Sequence, residues 1–199
     1  MFKIYYDKIN PYFDEDVFRK AYSQARDVRK EKIDSLGSVE AKARSLAAEI
    51  LLIKGTEDMG ISHLLDTISV GEHGKPDFTK ASGWHYNLSH SGEYVMLGIA
   101  DSAIGVDIQE IKGIKSGLAD RFFHTDEKEY LDRIKRSNAK GIDSDEYLQA
   151  FFRIWCLKES YVKYTGMGLG QGLDTFTVLG RLADSKLLGD DRYVSALWV

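Results

Sequence analysis

The run Tyr94-Val95-Met96-Leu97-Gly98-Ile99-Ala100 contains no charged residue and stops at Asp101-Ser102. It is bounded by turn formers on both sides and reads as a strand buried on both faces. Such a strand needs apolar cover from its neighbours. Tyr86 and Leu88 lead into Ser89-His90-Ser91-Gly92, which reads as a turn, so the two stretches form a hairpin. After the short turn at Asp101-Ser102, residues from Ala103 to Ile108 read as the next strand. Upstream, Ala43, Leu46, Ala47, Ile50 and Leu51 follow the i, i+3, i+4, i+7, i+8 spacing of a helix with one apolar face. Ser38 is placed to cap that helix and Gly55 to end it, and Arg44 lies off the apolar face.

The second half repeats the alternation. A helix is expected from near Thr125, whose hydroxyl can cap it, with Asp126, Glu127 and Glu129 in the first turn. Residues from Ser137 to Ser144 are polar and read as a surface loop, and a long helix follows from about Asp145 to Tyr164 with Gly166 as its stop. Phe176-Thr177-Val178 and Tyr193 to Trp198 read as closing strands. A basic stretch from Ala21 to Lys32 reads as one helix. Helix, hairpin, helix, hairpin in this order gives an α+β fold of two lobes, 1–101 and 102–199.

Composition removes several function classes. The formal net charge is -4, which argues against bulk nucleic-acid binding, so any polyanion site must be a local cluster. No apolar run approaches the roughly 20 residues that a membrane-spanning helix needs. The start, Met1 to Asp7, has no long apolar core of a secretory signal. A single cysteine, Cys156, precludes an intrachain disulfide framework and fits a reducing, cytoplasmic setting.

Two acidic segments carry the chemistry. In Ile104-Gly105-Val106-Asp107-Ile108-Gln109-Glu110, Asp107 and Gln109 are two apart on a strand and share a face, while Val106 and Ile108 face the core. In Trp155-Cys156-Leu157-Lys158-Glu159-Ser160-Tyr161-Val162-Lys163, Glu159 and Lys163 are one helical turn apart. Lys158 is offset from Glu159 by about 100 degrees, and Trp155 is expected to pack the helix. A hard divalent cation takes oxygen ligands, and Mg²⁺ usually takes one or two carboxylates plus phosphate oxygens and water. Asp107 and Glu159 can supply the carboxylates and Gln109 a neutral oxygen, directly or through water. Taken singly, Asp107 can also be a turn cap, and Glu159 with Lys163 a surface ion pair.

Two further segments precede these: Gly74-Lys75-Pro76-Asp77-Phe78 and Asn87-Leu88-Ser89-His90-Ser91. The order GKP, NLSHS, GVD, WxxKES resembles that of the phosphopantetheinyl transferases, in their surfactin-synthetase-activating (Sfp-type) branch, from about Arg29 to Leu169. The resemblance implies two similar α+β lobes related by a pseudo-twofold, a monomer, and an active site in the cleft between the lobes. It implies magnesium-dependent transfer of 4'-phosphopantetheine from coenzyme A to a serine of an apo acyl- or peptidyl-carrier protein, with adenosine 3',5'-bisphosphate leaving.

Carried over by motif, His90 contacts the 3'-phosphate of coenzyme A, and Lys75 another phosphate. Ser89, Arg44, Arg29, Lys32 and Lys158 complete the donor-binding set. Asp107, Glu159 and Gln109 hold the metal, Glu159 also serves as base, and Lys163 neutralises or protonates the leaving phosphate. Most members of this branch carry Glu where this chain has Gln109, so one negative charge is missing at the metal. Carrier proteins are typically acidic near the modified serine, and the stretch with Lys112, Lys115, Phe122 and Phe123 is the expected docking surface. Two rival readings are a non-catalytic module that senses coenzyme A or a related nucleotide, and a metal-dependent phosphohydrolase. The absence of a second acidic metal cluster argues against a two-metal hydrolase.

Overall fold

The computed structural model describes residues 1–71, 74–168 and 172–199. Leu169, the far end of the family resemblance, lies outside them. The chain divides into two compact units, Met1–Ile104 with Val199 and Gly105–Trp198. Both mix helices with antiparallel sheet, as the α+β reading expects.

The first unit is built around β5 (Tyr94–Ala100), the central strand of an antiparallel sheet ordered β1-β5-β4. Its neighbours are β1 (Phe2–Lys8) and β4 (His85–Ser91). The register pairs Phe2 and His85 with Ala100, and Lys8 and Ser91 with Tyr94. Val95, Leu97 and Ile99 are fully buried, with Met96 and Ala100 nearly or fully so, which matches a strand covered on both faces. The turn of the β4–β5 hairpin is at Gly92-Glu93. It therefore lies just beyond the expected Ser89-His90-Ser91-Gly92, because the strand ladder runs on to Ser91 and only Gly92 takes a positive φ. Strand β1 has no counterpart in the sequence expectations; it is an edge strand, with Phe2, Lys3, Tyr6 and Lys8 exposed.

Helix α3 (Val39–Asp58) covers this sheet, packing on β5 and β1. Ser38 caps it by accepting from the Ala41 amide at 3.1 Å. It does not stop at Gly55. A Cβ there would meet Leu97 Cδ2 at 2.7 Å and Ile99 Cδ1 at 3.1 Å, so this glycine lets the helix lie close on the sheet. The basic stretch is two helices, α1 (Glu15–Gln24) and α2 (Asp27–Asp34), broken by extended residues Ala25 and Arg26. The break buries Ala25 and lets both the amide and the side chain of Arg26 grip Glu49 on α3. A short ladder of β2 (Ser69–Val70) and β3 (Pro76–Asp77) completes the unit.

The second unit is an antiparallel sheet ordered β6-β8-β7, from Gly105–Glu110, Tyr193–Trp198 and Lys186–Leu188. Besides the short α4 (Leu118–Phe122) it holds α5 (Thr125–Ser137) and α6 (Asp145–Thr165), and α6 packs on β6 and β8. Gly166 ends α6 in the left-handed region at φ 68, as expected of a helix-stopping glycine. Helix α5 is capped by His124 rather than Thr125: the His124 ring accepts from Asp126, and Glu127 reaches back to the His124 amide at 3.0 Å. Among the described residues Phe176-Thr177-Val178 pairs with no strand. Its backbone groups are satisfied by side chains instead, since Phe176 O accepts from Lys158 and the Val178 amide donates to Glu127.

Candidate active site

In the second unit β6 and α6 meet where the motif residues lie. The contact is set by Gly105, because a Cβ at that position would fall 2.0 Å from Ser160 O and 2.3 Å from the Tyr164 amide nitrogen. No other residue fits so tight a crossing. Two residues along β6, Asp107 is only 1% exposed. Lys163 on α6 reaches it with Nζ 2.5 Å from Oδ1, and also donates to Val106 O at 3.2 Å. Gln109 Nε2 donates to Asp107 Oδ2 at 2.9 Å, as the shared face predicts. Val106 and Ile108 are both fully buried.

Glu159, one turn before Lys163, is half-buried. Among the described residues its carboxylate has no hydrogen bond and no ion pair. Burial raises its pKa first, the Asp107 charge adds to that, and Lys163 opposes both. The ion pair of α6 thus runs from Lys163 to Asp107, not to Glu159. Cys156 packs beneath, its Sγ 3.1 Å from Asp107 O, and burial pushes its thiol well up, so it is no nucleophile.

The donor set of Asp107, Glu159 and Gln109 is all oxygen, which suits a hard cation. Among the described residues no three His, Cys, Asp or Glu side chains converge on one point. Two carboxylates are nevertheless the usual protein share for Mg²⁺, and their mutual repulsion at Glu159 is what a dication relieves, so the residues fit. Gln109 presents its amide nitrogen to Asp107, and joining a metal requires that amide to turn over.

Lys158 corrects the sequence reading. Its side chain is 0% exposed and its ammonium lies 2.8 Å from Glu127 Oε2, with Glu127 also 0% exposed. It donates as well to Leu173 O at 2.6 Å and Phe176 O at 2.5 Å, so all three donors are committed inside the fold. It does not face a ligand. Phe123 is corrected on the same ground. It is fully buried against Phe151 at 4.9 Å between ring centroids, and cannot meet a partner's surface. Phe122 is half-buried edge-on to Trp155, which packs as expected. Lys112 and Lys115 are exposed on the rim of an apolar hollow of about 260 Å³ formed with Ile114, Phe152 and Trp155.

In the first unit, Arg29 and Lys32 line one hollow of about 830 Å³ together with Arg26, Leu65, Ile68 and Tyr86. Gly74 and Pro76 also line it, while the Lys75 ammonium turns to Ile104 O at 3.0 Å. Ser89 and His90 lie within β4 rather than in a turn, Ser89 buried and His90 exposed, so they point to opposite faces. Arg44 pairs with Glu40 through Nη2, and its buried Nε has no hydrogen-bond partner. Glu49 and its pairing with Arg26 have no counterpart in the sequence expectations, and Glu127, expected only as a first-turn acid, proves to be the partner of Lys158. Glu49 had a visible signal, a carboxylate set inside the apolar run Leu46 to Leu52.

Residues 103–196 match the family model of the 4'-phosphopantetheinyl transferase superfamily. The chain is 36% identical over 135 residues to 4'-phosphopantetheinyl transferase psf-1 of Bacillus pumilus, covering 67% of this chain and 54% of that protein. It is 37% identical over 110 residues to 4'-phosphopantetheinyl transferase Sfp of Bacillus subtilis strain 168, covering 55% of this chain and 46% of that one. A further 4'-phosphopantetheinyl transferase of Bacillus subtilis is 29% identical over 190 residues, 92% of this chain and 77% of the relative. In the first two alignments the chain spans about half the length of the relative.

Proposed function

Because the chain belongs to the 4'-phosphopantetheinyl transferase superfamily, we propose that it moves 4'-phosphopantetheine from coenzyme A to a serine of an apo carrier protein. The observation that carries this reading is Glu159: a half-buried carboxylate with no protein partner among the described residues, raised in pKa, beside the Asp107–Lys163 pair. A carboxylate so placed is suited to take a proton from an incoming hydroxyl.

The serine oxygen forms a bond to the phosphorus that carries the pantetheine arm, and the anhydride bond to adenosine 3',5'-bisphosphate breaks. The serine proton passes to Glu159, directly or through water. Lys163, held on Asp107, places its positive charge by the phosphate that leaves. Asp107, Glu159 and, after its amide turns, Gln109 would hold Mg²⁺, which when bound supplies neutralising charge to the pyrophosphate. The rate enhancement is then mainly positioning and charge stabilisation, as in other phosphoryl transfers. Residues of the first unit bind the donor: Arg29 and Lys32 on the hollow wall, with the exposed His90 and, once turned from Ile104 O and Glu40, Lys75 and Arg44 as further contacts; Ser89, buried on the opposite face of β4, is not among them. The carrier docks at the hollow rimmed by Lys112 and Lys115, with Phe122 beside it.

The test mixes the protein with coenzyme A, Mg²⁺ and an apo carrier, and weighs the carrier. A gain of one phosphopantetheine supports transfer. Coenzyme A breakdown without a carrier would instead indicate hydrolysis, and tight binding without turnover a sensor. Among the described residues no helix is long and apolar enough to cross a membrane.

A further inference from the structure

We propose that Glu49 is a positioning residue for recognition of a terminal phosphate monoester, and that it acts by aiming the Arg29 guanidinium into the hollow of the first unit. The proposal rests on the coenzyme A reading above, and it assigns a task to a buried carboxylate that the transfer chemistry leaves unused.

Glu49 is 0% exposed on α3, among Leu46, Ala47, Ile50 and Leu52. A lone carboxylate in such a place is strongly disfavoured unless paired and hydrogen-bonded. Burial alone would raise its pKa, but the Arg26 hydrogen bonds and the charges of Arg26 and Arg29 overcome that and hold it below the usual range. It is therefore a fixed anion in the wall between α2 and α3.

The two arginines use it differently. Arg26 grips both oxygens, Nε to Oε1 at 2.6 Å and Nη2 to Oε2 at 2.9 Å, and spends Nη1 on Leu65 O at 2.9 Å. Every edge of that guanidinium is committed to the fold. Arg29 touches Glu49 only through Nε, 3.3 Å from Oε2. Among the described residues its Nη1 and Nη2 donate to nothing. These nitrogens form the outer fork of a group anchored from behind, on the wall that Lys32 also lines.

A guanidinium fork pairs with two oxygens of one phosphate, and a neighbouring ammonium adds a point charge. Asp27 and Asp66 also line the hollow, but Asp27 is turned to Lys30 at 3.1 Å and the Asp66 charge acts on Arg26, so Arg29 with Lys32 is the anion-attracting part of the wall. A phosphate monoester carries about -1.5 to -2 charge at pH 7, more than a single diester oxygen pair. In coenzyme A the only monoester is the 3'-phosphate. Removing the Glu49 charge would leave Arg26 and Arg29 repelling one another and Arg29 without its anchor.

The experiment compares the parent with Glu49→Gln, Glu49→Asp and Arg29→Lys, using coenzyme A and dephospho-coenzyme A as donors. It also titrates each protein with adenosine 3',5'-bisphosphate and adenosine 5'-monophosphate. For Glu49→Gln the KM for coenzyme A should rise about tenfold with kcat little changed, while the KM for dephospho-coenzyme A stays put. Glu49→Asp should restore part of the preference. A drop in kcat and melting temperature that is equal for both donors, with the preference intact, would mean that Glu49 only supports the fold and overturns the proposal. Should Glu49→Gln fail to fold, Arg29→Lys keeps the charge and loses the fork. It should lose the same preference, and keeping it overturns the proposal as well. A parent that transfers nothing yet prefers the bisphosphate in a Glu49-dependent way would retire the transfer reading and uphold this one. A parent that does not distinguish the two nucleotides would retire this one even if it transfers.

Discussion

Replacing Lys158 with methionine removes the cation from a pair in which both side chains are 0% exposed. The neighbouring groups show what is lost. Glu127 would keep its hydrogen bonds from the Val178 amide at 2.8 Å and the His124 amide at 3.0 Å, but its charge would be buried without a counterion. Leu173 O and Phe176 O would lose their donor at the same moment. Breaking one side of a buried pair costs about 3–5 kcal/mol. For a chain of this size each kcal/mol moves the melting temperature by about 2–4 °C, so a fall of about 6–20 °C is expected. The assay is thermal and urea unfolding of the parent, Lys158→Met, Glu127→Gln and the double variant. The double should lie well above the sum of the singles, because the second change removes the orphaned charge left by the first. The donor KM of Lys158→Met, measured well below its melting temperature, should stay within about twofold of the parent, since the residue faces no ligand. Strict additivity, or a loss under about 1 kcal/mol, would refute the buried pair. A large selective rise in donor KM would return Lys158 to the donor site.

Gly105→Ala should lower both stability and kcat, the latter by about a hundredfold, because α6 must move off β6 and carry Glu159 and Lys163 away from Asp107; circular dichroism melts and single-turnover rates read the two effects. Asp107→Asn and Glu159→Gln should each abolish carrier modification while leaving a folded protein, and full turnover in either would end the metal and base assignments. Gln109→Glu should keep activity and shift the Mg²⁺ dependence to lower concentration, because an added carboxylate strengthens the pull on a hard cation; an unmoved titration places Gln109 away from the metal. Glu49 has a folded pKa held below its ordinary value, so its stabilisation is complete above the unfolded value of about 4.3 and fades as pH falls through the folded one. The urea-midpoint gap between parent and Glu49→Gln should therefore shrink from pH 6 toward pH 3, and a gap that widens on acidification would contradict the sign.

The parts that were legible in the sequence are those where a residue's direction follows from its own element. Val106 and Ile108 had to be buried once Gly105–Glu110 was a strand, and Gln109 had to meet Asp107 on one face. Glu159 and Lys163 share a helix face for the same reason, and Gly166 ends α6 because a glycine takes the left-handed conformation that the stop requires. Strand β5 announced itself by apolar content, and Ser38 by its cap position. Where the reading slipped, the deciding contact came from a distant segment. Gly55 looks like a helix stop until Leu97 and Ile99 are seen pressed against it, and the helix break before Arg26 exists to serve Glu49.

The same distinction explains why Lys158 reads as a donor contact in the sequence and proves to be a buried partner of Glu127. Periodicity tells which way a side chain leaves its helix, but not whether solvent, a ligand or another charge meets it. Lys158 and Lys163 are both lysines of one motif on α6. One ends on Glu127 with no exposure, and the other on Asp107 with its side chain 27% exposed. The difference is made by α5, whose His124 cap brings Glu127 beneath α6, and by the 173–178 segment, which has two carbonyls to satisfy and no strand partner among the described residues. Glu127 was readable as a first-turn acid and Glu49 as an anomaly in an apolar run, yet each gains its role only when a cation arrives from elsewhere in its own unit. A carboxylate inside an apolar helical face is therefore a demand for a partner, and Glu49 meets it with the full edge of Arg26 and with only the Nε of Arg29.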